Sequence, residues 1–131
     1  MVGCDTQTNP LSNNSCGETY LEVDAPDLIL DENGYYHMKF LEEYTQTFST
    51  LRAKTGTDYQ KIAWKSNKEI KIQNIWTQLV NQASYTDEDG NGYTVLGVWE
   101  EFVEDTIKVW CGYEDECDNY FIDSLHVIVE N

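Results

Sequence analysis

The stretch ASYTDEDGNGYTVLGVWEEFVEDTIKVWCGYEDECDNYFIDSLHVIVE, residues 83–130, decides the fold. An acidic, Gly-rich turn at residues 87–92 leads into a β-rich run at 93–99. An acidic gap, an alternating strand at 106–113, a tight acidic turn and a closing strand at 120–129 follow. Ile107, Val109 and Cys111 share one face of the first alternating strand, with Lys108 and Trp110 on the other. Leu125, Val127 and Val129 oppose His126 and Ile128 in the second. A period of two is the pattern of half-buried antiparallel strands.

Four runs within this stretch carry a resemblance. They are Tyr85-Thr86-Asp87-Glu88-Asp89-Gly90, Tyr93-Thr94-Val95-Leu96, Asp105-Thr106-Ile107-Lys108-Val109 and Asp123-Ser124-Leu125-His126-Val127. Together they resemble the end of bacterial immunoglobulin-like domains of the invasin/intimin type, over roughly residues 83–129. In that family a T-D-x-x-G turn precedes a strand, G-D-T-x-x-V opens the next, and D-S-x-x-V closes the domain. The chain departs by carrying Glu104-Asp105 where the family has Gly-Asp, and by its cysteines Cys111 and Cys117. The motifs are those of turns and strands, so the resemblance implies a fold and no reaction.

Working outward, Asp31-Glu32-Asn33-Gly34 reads as a turn, and residues 35–41, 48–54 and 59–66 as strands. Trp64 sits on the apolar face of the third, where sandwich domains bury their largest side chain. Residues 68–80 are ambiguous: Ile70 and Ile72 alternate, whereas Ile75, Trp76, Leu79 and Val80 fit a helical face. Turn signals recur at short spacing without a long helical segment. The expectation is an all-β, immunoglobulin-like antiparallel sandwich of about seven strands spanning residues 27–131, after a mobile polar tail at 1–26.

Eight Lys and Arg face twenty-four Asp and Glu, a formal net charge of −16. Such a surface repels nucleic-acid phosphates and anionic lipid headgroups. No run approaches the ~18 apolar residues of a membrane helix. Met1-Val2-Gly3-Cys4 matches the end of a bacterial lipoprotein signal, with residues 5–17 as its polar spacer, so the one route to a membrane is a lipid on Cys4. Cys111 and Cys117 flank a hairpin turn and are expected to form a disulfide, leaving Cys16 over, or paired with Cys4 if that residue is not lipidated. Zinc is disfavoured, since neither His37 nor His126 lies near a cysteine. A disulfide places the chain in an oxidising compartment, extracytoplasmic, at a bacterial surface or secreted.

Reaction chemistry is missing: there is no G-x-S-x-G elbow, phosphate-binding Gly loop or H-E-x-x-H. No cofactor is expected, with one qualification. Asp87, Asp89 and Asn91 before Gly92 match the first half of a calcium loop, but Val98 stands where the bidentate Glu belongs. In an immunoglobulin-like sandwich the loops at residues 55–58, 87–91 and 114–118 meet at one end. Glu114 or Asp118 would then complete the ligand set; the alternative is an ordinary hairpin turn. Trp110, set opposite the inward face of its strand, and Trp99 are candidates for a ligand face. The sequence therefore reads as a non-catalytic binding or structural module of a surface lipoprotein or adhesin-like protein. Its partner is a protein or glycan, the competing reading being a carbohydrate-binding module that uses exposed aromatics.

Overall fold

The computed structural model describes residues 20–131. Among them are eleven strands: β1 (Glu22–Asp24), β2 (Ile29–Leu30), β3 (Tyr35–Lys39), β4 (Gln46–Lys54), β5 (Lys61–Ser66), β6 (Glu69–Ile72), β7 (Ile75–Gln78), β8 (Ala83–Tyr85), β9 (Asn91–Trp99), β10 (Thr106–Glu114) and β11 (Tyr120–Glu130). One 3-10 turn, Glu100–Phe102, joins β9 to β10. The fold is an all-β sandwich. A three-stranded sheet, β9-β4-β1, packs on a six-stranded sheet, β2-β3-β11-β10-β5-β8, and β6 and β7 form a separate hairpin. Every pairing is antiparallel except β3 with β11, which runs parallel with Tyr35 opposite His126. The chain thus enters on the small sheet through β1 and crosses to the large one at β2, which pairs with β3.

The alternation in the long strands does what a half-buried strand requires. On β10, Ile107, Val109, Cys111 and Tyr113 are at most 2% exposed. Leu125, Val127 and Val129 of β11, with Ile62 and Trp64 of β5, complete that side of the core, against Leu51, Ala53, Leu96 and Val98 of the small sheet. Trp64 keeps its indole N–H satisfied by donating to Ser84 Oγ at 2.8 Å.

Three differences from the sequence reading have physical causes. First, the sandwich begins before residue 27: Ala25 is 1% exposed, and β1 pairs with β4. Two of the strand's three residues are acidic, which hid it, but Asp24 takes a two-pronged ion pair from Arg52 Nε and Nη2 at 2.9 and 2.6 Å. Second, residues 68–80 hold no helix. Gln73 and Asn74 turn the chain at φ 52° and 70°, Ile70 anchors the base, and Ile75 and Trp76 are more than 60% exposed. Third, the disulfide between Cys111 and Cys117 is not made, for Cys111 is a free, buried thiol. Its side chain faces the core opposite Asp123 and Trp64, while Cys117 lies in the turn beyond the strand. Burial, then the charge of Asp123, pushes the Cys111 thiol up to about 12, so it is a packing residue and no nucleophile. Cys4, Cys16 and the expected tail before Tyr20 lie outside the described residues.

The crossing into β3 is held by His37. Its Nε2 meets Asp31 Oδ2 at 2.7 Å, and its Nδ1 bonds to Glu130 at the end of β11. These bonds, to Glu130 first and Asp31 second, raise the imidazole above its ordinary 6.5; the bond to His37 lowers Asp31 below 3.8. A raised histidine stabilises the fold fully below about 6.5, and that contribution fades as pH climbs through the folded-state value. The Asp31 contribution is present above 3.8 and fades as pH falls. His37→Gln is therefore expected to melt below the parent at pH 5 and to approach it at pH 9. A melting gap that stays constant over this range would refute the clamp.

At the β9–β10 corner Glu104 adopts φ 75°, its N–H donating to Val129 O at 2.7 Å. This is the position where the resembled family carries glycine. A left-handed L-residue costs roughly 1–2 kcal/mol, and glycine gives back roughly 0.5–1 kcal/mol in chain entropy. Glu104→Gly should raise the melting temperature by a few degrees, measured by calorimetry, whereas Glu104→Ala should not.

Candidate binding face

Three tight turns share one construction, which accounts for the leading Asp of each. In Asp31-Glu32-Asn33-Gly34, Asp87-Glu88-Asp89-Gly90 and Asp115-Glu116-Cys117-Asp118 the first carboxylate accepts two backbone N–H groups, from the residues two and four positions on, at 2.8–3.0 Å. The fourth residue has positive φ: 88° at Gly34, 82° at Gly90 and 66° at Asp118. These are Asp-anchored turns, in which the side chain imitates a backbone acceptor.

Two of the three loops expected to meet touch, Thr55 N donating to Gly90 O at 2.9 Å; Gln60, just past the first loop, donates from Nε2 to Glu114 O at 3.3 Å. A Cβ on Gly90 would stand 2.7 Å from Gly56 N, so only glycine permits that approach. Asp87 Oδ1 is engaged within its own turn, accepting from the amides of Asp89 and Asn91. Among the described residues no group of three or more His, Cys, Asp or Glu is arranged to hold a metal ion. Of the expected set, Asp87, Asp89 and Asn91 belong to one turn and Glu114 and Asp118 to another, and the structure does not gather their carboxylates into one group.

Trp110 and Trp99 are not brought together. Trp99 ends β9 on the small sheet, partly buried against the core among Glu42, Glu43, Glu100 and Glu101. Trp110 lies on the outer face of the large sheet, and a face with binding chemistry assembles around it. Opposite Trp110 in register stand Lys65 of β5 and Ser124 of β11, and opposite Gly112 stand Ala63 and Ile122. Small residues thus form a floor, and Trp110, Tyr120 and Ile122 rise from it. Tyr120 and Ile122 are each 62% exposed. Gly112 lets Tyr120 lie across the floor, since a Cβ there would stand 2.6 Å from Tyr120 Oη and 3.0 Å from Phe121 O. The hollow they enclose, rimmed by Gln78 and Gln82, measures about 450 Å³.

Lys65 and Lys108 place their ammonium groups 5.6 and 5.3 Å from the Trp110 ring centroid. Cation–π contacts at exposed sites contribute about 0.5–1 kcal/mol. They leave each ammonium its full charge, and among the described residues neither lysine forms an ion pair. The lining contains no carboxylate and no histidine. Its groups are indoles, a phenol, amides and the Lys65 ammonium, with the Lys108 ammonium beside Trp110, which stack, donate and attract anions. Sequence reading found Trp110 and missed its companions, although Lys108, two residues earlier on the same face, was a usable signal. Lys65, Tyr120 and Ile122 arrive through cross-strand register.

No family model matches the chain, and no curated protein matches it. Among solved structures it is similar to the sporulation control protein Spo0M from Bacillus subtilis at 9% identity, with a TM-score of 0.35 over 86% of this chain and 49% of that one. The chain thus spans about half of that protein's length, and a likeness of this degree carries no argument about function.

Proposed function

We propose that the chain is a non-catalytic binding module of an extracytoplasmic protein, of the surface-lipoprotein or adhesin-like kind expected from its sequence. We propose further that it engages its partner through the outer face of the six-stranded sheet. One observation carries the second statement: a half-buried Trp110, flanked by two ammonium groups and walled by Tyr120 and Ile122, stands over a floor of Ala63, Gly112 and Ser124. Nothing in the sandwich core needs these side chains outside. A hollow of about 450 Å³ lies within the 300–1,000 Å³ of small-ligand sites. Exposed aromatics over such a floor favour the glycan reading of the partner, because sugar C–H faces stack on flat rings.

On a glycan array, binding should be lost in Trp110→Ala, by tenfold or more, at unchanged melting temperature, and kept in Trp99→Ala. Retention of binding by the Trp110 variant would remove this face from consideration. The extracytoplasmic placement rests on Val2-Gly3-Cys4 and the polar run after it. It predicts palmitate incorporation in a bacterial host supplied with an upstream signal peptide, lost in Cys4→Ser; labelling that persists in the variant rejects the anchor.

A further inference from the structure

We infer that the Trp110 hollow takes a singly carboxylated sugar, such as a terminal uronate or sialate on an otherwise neutral glycan. The inference rests on the binding face described above and adds the charge of its ligand. The protein carries three acids for every base, yet the hollow is lined by Lys65 and no acid, with the Lys108 ammonium beside it 5.3 Å from the Trp110 ring centroid. Arg52 and Lys54 on the small sheet, by contrast, pair with Asp24 and Glu22. Lys65 and Lys108 have only the indole between them, which attracts an ammonium without neutralising it. A carboxylate entering there gains two charge-assisted partners at once, beside an aromatic surface that excludes water from one side.

The rest of the site suits a sugar better than a bare anion. Gln78 is already engaged, its Oε1 accepting from Ser66 N and its Nε2 donating to Glu69. Gln82 and Tyr120 Oη, in contrast, make no side-chain hydrogen bond among the described residues and face the hollow, open to sugar hydroxyls. The overall charge sets an upper limit on the ligand. At −16 the surface repels a dense polyanion at long range, so carboxylates must come singly, where local attraction wins at a screening length of about 8 Å.

Calorimetric titration of the full chain with four probes tests this: a neutral oligosaccharide, the same glycan ending in one uronate or sialate, a polyuronate, and a hexaglutamate peptide. The singly carboxylated glycan should bind at least tenfold tighter than its neutral counterpart and tighter than either polyanion. The double variant Lys65→Gln/Lys108→Gln should erase that preference while leaving neutral binding in place, and Trp110→Ala should weaken both. Equal binding of neutral and acidic glycans, or a preference that survives loss of both lysines, overturns the carboxylate assignment and leaves the Trp110 face standing. Lysine-dependent binding that is tightest for the peptide or the polyuronate overturns the single-carboxylate sugar. Absence of any Trp110-dependent binding overturns the inference and the face together. All variants lie on exposed or half-exposed outward positions, and melting curves confirm that each is folded.

Discussion

Strand β10 imposes the constraint on which the rest depends. Its side chains alternate, so burying Ile107, Val109, Cys111 and Tyr113 between the sheets obliges Lys108, Trp110 and Gly112 to face the other way. It also lies at the centre of the larger sheet, with β11 along its whole length on one side and β5 on the other. A slip of one residue would turn the whole inward row to solvent, so the core fixes the register with the force of several buried side chains. The outer face inherits that precision. The floor of Ala63, Gly112 and Ser124 and the lysines over Trp110 are held in place by a core they do not touch.

The acidity of the chain separates into two roles. Part of it is turn chemistry, since Asp31, Asp87 and Asp115 each close a tight turn by accepting two amides. A carboxylate used in this way replaces a backbone acceptor, and the residue three positions on takes the left-handed conformation that the turn demands. The remaining acids leave the centre of one sheet face to lysines. There the local charge opposes the overall charge, whose long-range effect is screened within about 8 Å.

The ends of the domain are tied by polar contacts across sheets. Val23 N donates to Asp123 Oδ2 at 2.9 Å, joining β1 to β11, and His37 bridges the first turn to the last residues of β11. Strand β1 is short, and β3 is flanked by the two-residue β2 on one side and the parallel β11 on the other, so these contacts define where the sandwich begins. Their partners lie 93 and 100 residues apart in sequence, beyond the reach of any local pattern.

What the sequence by itself determined is whatever repeats at short range. Period-two alternation announced β10 and β11 and assigned their inward rows; Trp64 was placed in the core by the same rule. The Asp-Glu-x-Gly runs marked two turns, and the sandwich class followed from turns at short spacing without helices. Tertiary structure decided whatever depends on which strands become neighbours. Cys111 and Cys117, close in sequence, are held apart because one faces the core and the other lies in a turn. The β6–β7 hairpin replaced a helical face because Ile70, Leu79 and Val80 reach the core while Ile75 and Trp76 do not. Lys65, Gly112, Tyr120 and Ile122 join Trp110 only through cross-strand register, and register is set by the whole core at once.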